Sequence, residues 1–189
     1  MSDSITGDRA SSDSHSANSD SVTRDSITIR PATESDIPVI LGFIRALAKY
    51  ERLEHECIAT EEGLRKTLFG ARSYAEVVFA CVDGVPAGFA LFFHNYSTFL
   101  GKPGIYLEDL FVNPEARGRG IGKRLLQWLA KTAVERDCGR LEWAVLDWNE
   151  PSIRFYQSLG AVLKSEWQIF RLTGPALVAL STGPDSSTG

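Results

Sequence analysis

The sequence predicts one α/β domain: a mixed, twisted β-sheet flanked by helices on both faces. Strand patterns and helical patterns alternate along residues 27–172. A hairpin signal lies in the first half, and a strand–helix–strand unit lies in the second. The length of 189 residues and the 43% hydrophobic content are sufficient for one core.

A strand and a helix are predicted to begin the domain. Residues 27–30 have the pattern of a short strand, and Thr33 to Asp36 supply helix-start residues. Apolar residues at helical spacing then predict a helix to about Tyr50. These residues are Ile37, Ile40, Leu41, Ile44, Leu47 and Ala48.

A shorter helix and a hairpin follow. Thr60, with two glutamates after it, is a good helix N-cap and predicts a second helix. Asp83-Gly84 is a dipeptide typical of a two-residue hairpin turn. It separates predicted strands at 76–82 and 86–95, so the first half of the sheet is expected to be antiparallel.

The second half is predicted to contain a parallel unit. Residues 105–112 form a strand, an amphipathic helix spans roughly 119–137, and a further strand covers 140–147. Pro151 suits the first turn of another helix, because its missing N–H would be unpaired there anyway. Gly160 can end that helix.

The ends of the chain differ in composition from residues 27–172. A last strand is predicted near 167–172. Residues 1–26 contain nine Ser and five Asp with few large apolar groups, which predicts a disordered tail that carries most of the net charge of −4. Residues 173–189 are predicted to be a flexible C-terminal tail in which 176–180 could form a short apolar turn.

Composition also excludes several classes of function. No basic stripe is present, which argues against a nucleic-acid partner. The three cysteines and three histidines lack metal-ligand spacing, so no metal is expected. No apolar run is long enough to cross a bilayer. The odd number of cysteines and the lack of a secretory signal favour the cytoplasm.

The most informative motif is RGRGIG at 117–122, between a predicted strand and a helix. Glycines let the backbone approach a ligand closely, and the unpaired N–H groups at a helix start form an anion site suited to a pyrophosphate. The spacing is neither the GxGxxG of dinucleotide-binding folds nor the GxxxxGK[ST] of a P-loop. A glycine-rich turn with solvated basic residues would be a purely structural explanation.

The pattern RxxGxG at 117–122 resembles the coenzyme A signature of the GNAT superfamily of N-acetyltransferases. The other motifs occur in the order of its diamine (spermidine/spermine) branch and the related thialysine acetyltransferases. They are IRPAT at 29–33 followed by Asp36, LAKYE at 47–51, YLED at 106–109, VLDWN at 145–149 and FY at 155–156. The resemblance spans about 27–172. It implies acetyl-CoA-dependent acetylation of a primary amine of a small cationic substrate, a polyamine or a lysine-like amine such as thialysine.

The resemblance implies that acetyl-CoA lies where strands 105–112 and 140–147 splay apart. The implied cofactor-binding residues are Leu110, Phe111, Val112, Arg117, Gly118, Arg119, Gly120, Ile121, Gly122, Lys123, Asn149, Glu150, Pro151, Ser152 and Tyr156. The implied substrate-binding residues are Tyr50, Glu51, Glu108, Asp109, Glu142, Trp143, Ala144 and Glu166. It also implies a homodimer.

Two residues are expected to be catalytic. Tyr156 is the expected proton donor to the thioester sulfur, and Glu108 is the expected proton acceptor, acting through water. Tyr156 could instead be a packed aromatic beside Phe155, and Glu108 could be an exposed strand acid. Glu108 and Asp109 are consecutive, so strand alternation predicts one on each face of the sheet. Asp109 could also be structural, paired to an arginine such as Arg117.

The sequence is compatible with more than one function. Tyr50 and Glu51 could simply form a solvated helix end. The enzyme could acetylate a protein N-terminus or a lysine side chain. The chain could also be a catalytically silent acetyl-CoA sensor or a plain interaction domain.

Overall fold

A five-stranded mixed sheet organises the first part of the chain. The computed structural model describes residues 26–182, so most of the predicted N-terminal tail and residues 183–189 lie outside the described residues. The strands lie in the order β1-β2-β3-β4-β5; the first four are antiparallel, and β5 is parallel to β4. The elements up to residue 144 are β1 Ile27–Pro31, α1 Ile37–Glu51, α2 Glu61–Leu68, β2 Glu76–Val82, β3 Val85–Ser97, β4 Lys102–Val112, α3 Ile121–Glu135 and β5 Leu141–Trp143.

The mixed sheet flanked by helices confirms the predicted fold class. The β2–β3 hairpin turns at Asp83 and Gly84, whose φ angles are 49° and 84°. Both values are positive, as the favoured two-residue hairpin turn requires. Thr60 caps α2, because its hydroxyl accepts a hydrogen bond from the Gly63 N–H at 3.1 Å.

Two layers of apolar side chains cover the faces of this sheet. On one face, the ring of Phe43 from α1 lies 5.2 Å from that of Phe89 and 5.9 Å from that of Phe79. Phe92, three residues beyond Phe89, contacts Trp128 of α3 with ring centroids 5.9 Å apart. Because neighbouring strand residues alternate between faces, α1 and α3 cover opposite faces of the sheet.

The motif at 29–33 is structural. Arg30 donates two hydrogen bonds of 2.8 Å to the carboxylate of Asp36. That carboxylate also accepts from the backbone N–H of Thr33 at 2.8 Å. The guanidinium of Arg30, and then the Thr33 hydrogen bonds, hold the pKa of Asp36 well below its usual range. These contacts fix the turn that leads from β1 into α1.

β5 is shorter than predicted. It pairs with β4 over only three rungs, Ile105↔Leu141, Tyr106↔Glu142 and Leu107↔Trp143. The prediction of a strand through residue 147 is therefore wrong for 144–147. On the β4 side the ladder ends at Leu107, just before a bulge at Glu108 that interrupts the regular spacing of the strand.

The second part of the chain, residues 145–182, contains two helices, α4 Glu150–Ser158 and α5 Gly174–Thr182. α4 confirms the helix predicted after Asn149. α5 replaces the short apolar turn expected at 176–180. The predicted strand near 167–172 is absent from the described residues, and Trp167, Ile169 and Phe170 are 70%, 75% and 90% exposed. Strand propensity alone forms no strand without a neighbouring ladder.

No helix among residues 26–182 combines the length and the apolar character that crossing a membrane requires.

Candidate active site

The glycine loop provides a place for an anion at the start of α3. Gly118 and Gly120 both have φ of 77°, and a Cβ added to either would meet nothing within 4 Å. Glycine is thus required there by backbone conformation, and the space outside the loop is open. The Arg124 N–H bonds to the Gly120 carbonyl at 3.0 Å, so the N–H groups of Ile121, Gly122 and Lys123 precede the first helical bond.

These features fit the pyrophosphate of coenzyme A. The open glycine backbone, the free helix start and the positive end of the helix dipole all favour a bound anion. Arg124, one of the basic residues near the loop, donates a hydrogen bond of 3.1 Å to the Ile27 carbonyl. That contact ties α3 to β1. Among the described residues, no cluster of His, Cys, Asp and Glu could hold a metal ion.

A bulge in β4 shapes the strand that leads to this loop. Leu91 lies opposite Asp109, and Phe92 lies opposite Leu107, so Glu108 has no residue opposite it on β3. Leu91 belongs with the apolar cluster under α1, whereas Phe92 faces α3. Leu107 and Asp109 therefore lie on opposite faces although they are two residues apart. Simple strand alternation, from which we predicted the faces of Glu108 and Asp109, does not hold here.

β4 also has an open side beyond the bulge. Its ladder with β5 stops at Leu107, and no other described strand pairs with residues 108–112 on that side. Backbone N–H and C=O groups need hydrogen-bond partners, so such a segment suits an extended ligand with amide groups. This arrangement is compatible with the predicted role of Leu110, Phe111 and Val112 beside a pantetheine arm.

Two carboxyl groups, those of Glu108 and Glu51, act on a third, that of Asp109, at this bulge. Burial, which is the largest cause, and the negative charges of Glu108 and Glu51 together raise the pKa of Asp109 to about 7. Burial also raises the pKa of Glu51. Glu108 itself is exposed. The end of α1 is therefore close to the acids of β4, as the predicted substrate role of Glu51 requires.

Arg117 does not serve as the partner of Asp109. Its Nε donates a hydrogen bond of 3.0 Å to the Val112 carbonyl. Its guanidinium centre lies 4.9 Å from the centroid of the Tyr50 ring and 5.5 Å from that of Phe111. Burial and negative neighbours alone shift the pKa of Asp109. The possibility of a structural Asp109–Arg117 pair is therefore wrong.

Gly88 is a site residue that the sequence analysis missed. A Cβ at this position would lie 2.9 Å from the Phe111 carbonyl oxygen and 3.2 Å from the Ile121 side chain. Only glycine lets β3 approach the end of β4 and the start of α3 so closely. The available signal was a glycine inside a strand pattern, which marks a bulge or a close backbone approach.

The substrate-lining residues predicted on β5 lie at its end. Glu142 accepts a hydrogen bond of 2.8 Å from the Asn95 side chain, and its carboxylate lies 2.7 Å from Arg140 Nε. The Nε–H of Arg140 does not point at that oxygen, so the contact is an ion pair and not a hydrogen bond. Arg140 offsets much of the charge of Glu142. Trp143 is half-buried and Ala144 is exposed.

The remaining predicted residues lie on α4 or after it. Asn149 is buried and caps α4, because its side chain accepts from the Ser152 N–H at 3.4 Å. Glu150 and Pro151 occupy the first turn. Tyr156 lies on the same helix, with its ring 5.4 Å from that of Phe155. Glu166 is exposed and forms an ion pair with Lys164, which lowers the pKa of Glu166.

Residues 42–161 match the family model for the acetyltransferase (GNAT) family. The match covers more than half of the chain. The chain belongs to the GNAT family of acetyltransferases. It is an N-acetyltransferase that transfers an acetyl group to an amine, which confirms the class of enzyme that the glycine loop and its companion motifs predicted.

Named relatives agree with this family. The chain is 37% identical to an L-ornithine N5-acetyltransferase of Arabidopsis thaliana over 197 residues, which cover 80% of this chain and 86% of the relative. It is also 37% identical to a thialysine N-epsilon-acetyltransferase of Bos taurus over 166 residues, 82% of this chain and 97% of the relative. Its fold is similar to an integron cassette protein from the mobile metagenome of V. cholerae, with a TM-score of 0.71, 28% identity, and coverage of 83% and 98%.

Proposed function

We propose that this GNAT enzyme uses acetyl-CoA to acetylate a primary amine of a small cationic molecule, either a lysine-like amine or a polyamine. The observation that carries the proposal is the convergence of Glu51, Glu108 and Asp109 near the glycine loop. Negative charge at this place attracts a cationic amine. Two relatives are named for ornithine and thialysine, which both end in a primary amine on a short chain.

Proton removal is the first task of such a site. An alkylammonium group has a pKa of about 10, so it must lose a proton before its nitrogen can attack an acyl group. We assign this proton to Glu108, which accepts it through a water molecule. Support comes from the bulge in β4. It leaves Glu108 exposed, with no residue of β3 opposite it, and next to the more buried Asp109.

Proton delivery is the second task. Bound acetyl-CoA supplies a thioester, whose sulfur needs a proton as it leaves. We assign the donation of that proton to the Tyr156 hydroxyl. We also assign coenzyme contacts to the glycine loop, to 110–112 and to 149–152. For the loop, the support is its open glycines at the start of α3.

The test is an assay of thiol release from acetyl-CoA. The acceptor panel is lysine, ornithine, thialysine, putrescine, spermidine, spermine and a histone-tail peptide. We expect turnover with at least one small amine. Tyr156→Phe should lower kcat roughly tenfold or more, because it removes a proton donor and keeps the ring.

Tyr74→Phe is the matched control. It deletes the same atom from an exposed tyrosine in the loop before β2, so its kinetics should equal those of wild type. Turnover with the peptide alone would move the function to protein acetylation. Coenzyme binding without any turnover would support the silent sensor and contradict the assignment of Tyr156.

We further propose a homodimer located in the cytoplasm. Several large apolar side chains of residues 145–182 are exposed, including Trp167, Ile169 and Phe170. Exposed apolar patches of this kind often mark protein–protein contacts. The molar mass in solution, measured by sedimentation equilibrium, tests the dimer.

A further inference from the structure

One side chain joins the end of α1 to the end of β4. The guanidinium of Arg117 lies over the rings of Tyr50 and Phe111, at 4.9 and 5.5 Å from their centroids. Its Nε donates a hydrogen bond of 3.0 Å to the Val112 carbonyl. A planar guanidinium makes stacked and directed contacts at once, which a lysine ammonium cannot reproduce.

Arg117 lies between the two places to which the proposed function assigns the coenzyme and the amine. Its own backbone leads directly into Gly118 and Gly120, the open loop that suits the coenzyme pyrophosphate. Tyr50 is followed by Glu51, whose negative charge helps to raise the pKa of Asp109 on β4. The same arginine therefore contacts the coenzyme side through its backbone and the amine side through its side chain.

The end of α1 is a position where such support matters. Arg52 ends the helix with a φ of 63°, a left-handed conformation that costs a non-glycine residue free energy and persists only when its surroundings fix it. Backbone bonds close this end: the Arg52 N–H bonds to the Ala48 and Lys49 carbonyls, the latter at 3.2 Å, and the Leu53 N–H bonds to the Ala48 carbonyl at 2.8 Å.

We propose that Arg117 is a positioning residue that couples coenzyme binding to amine binding. An anion held by the glycine loop fixes the backbone of Arg117. The fixed guanidinium then holds Tyr50, and with it Glu51, in the arrangement that receives a cationic amine. This inference rests on the proposed function. Because coupling between two sites is reciprocal, the amine must tighten coenzyme binding by the same factor.

The first experiment follows hydrogen exchange of the full chain with and without coenzyme A. In wild type, coenzyme A should slow exchange at the loop residues 118–124 and also at the amides of Arg52 and Leu53. In Arg117→Lys the loop should still be protected, but the α1 end should not. Tyr74→Phe, at the exposed tyrosine before β2, should behave as wild type, whereas Tyr50→Leu, which removes the ring, should behave as Arg117→Lys.

The second experiment measures the Kd of coenzyme A by calorimetry, alone and with the preferred amine of the panel at saturation. This pair cannot react, so the ratio of the two Kd values gives the coupling factor. We expect a coupling factor of roughly fivefold or more in wild type and in Tyr74→Phe. We expect less than about twofold in Arg117→Lys and Tyr50→Leu, since both break the stacked contact.

The outcomes separate this inference from the proposed function. If coenzyme A does not protect the amides of Arg52 and Leu53 in wild type, the coupling role is overturned. It is also overturned if this protection is the same in Arg117→Lys. A change in coenzyme Kd with an unchanged coupling factor also overturns it, because Arg117 would then be only a coenzyme contact. Absence of thiol release with every amine overturns the proposed function, whatever the exchange data show.

Discussion

At the scale of single residues, the glycine loop depends on backbone conformation. Gly118 and Gly120 share a φ of 77° with open space around them. A residue with a side chain pays roughly 1–2 kcal/mol for a left-handed conformation. We therefore expect Gly120→Ala to lower the free energy of unfolding by about 1 kcal/mol and to weaken coenzyme A binding. Urea denaturation and calorimetry measure the two effects.

Gly42→Ala is the matched control for that substitution. Gly42 is an exposed residue inside α1, and an added Cβ would meet nothing within 4 Å. Alanine there should stabilise the protein by about 0.5–1 kcal/mol and leave coenzyme affinity unchanged. Equal effects of the two substitutions on stability would contradict the conformational argument.

Local motifs were predictable at this scale, whereas contacts between distant residues were not. The pattern at 117–122 predicted a glycine loop before a helix, because both signals lie within a few residues. The ring contacts of Arg117 depend on where α1 ends relative to β4. The residues around Arg117 in the sequence carry no information about Tyr50. The sequence therefore predicted a coenzyme contact for Arg117 but not its contacts with the two rings.

At the scale of elements, caps fix where helices begin. Thr60 is exposed and accepts a hydrogen bond from the Gly63 N–H at the start of α2. Removing an N-cap side chain costs about 0.5–2 kcal/mol. We expect Thr60→Ala to lower the free energy of unfolding by about 1 kcal/mol, and Thr60→Ser to lower it far less. Thermal and urea denaturation measure this loss.

Thr60 belongs to no predicted site, so both variants should keep the kcat of wild type. A loss of activity without a loss of stability in Thr60→Ala would show that α2 has a role beyond packing.

Elements with strong local signals were predicted closely. The bounds of β2 match the prediction, and α1 ends one residue beyond it. The predictions failed where the pairing of one strand with another decides whether a strand forms and where it ends. β5 stops at Trp143, where its ladder with β4 ends beside a bulge that leaves no sequence pattern. Residues 167–172 have strand-like composition, but they form no strand among the described residues.

At the scale of the whole molecule, two acids shift stability with pH in opposite directions. The contacts with Arg30 and Thr33 hold the pKa of Asp36 well below that of an unfolded chain. Asp36 therefore stabilises the fold above about pH 4 and loses this effect as pH falls. Burial, with two negative neighbours, raises the pKa of Asp109 to about 7. Asp109 therefore makes the fold less stable as pH rises from about 4 to about 7.

These opposite signs predict a stability maximum on the acidic side of neutrality. Each unit of pKa shift corresponds to about 1.4 kcal/mol, so Asp109 alone should lower the free energy of unfolding by a few kcal/mol between about pH 4 and pH 7. Asp109→Asn cannot ionise and should remove that decline, which makes the variant more stable than wild type at pH 8. Asp36→Asn should instead be destabilised at pH 7 and show a weaker acid dependence.

Urea denaturation of the three proteins from pH 3 to pH 8 provides the measurement. Parallel curves for wild type and Asp109→Asn above pH 4 would mean that the folded protein solvates Asp109 and that its carboxyl group ionises normally. In that case the site would present full negative charge before the amine arrives. A difference that grows from about pH 4 and levels off above about pH 7 would mean that the enzyme holds Asp109 partly protonated near neutrality. A bound ammonium would then favour the ionised form, so amine binding would release a proton.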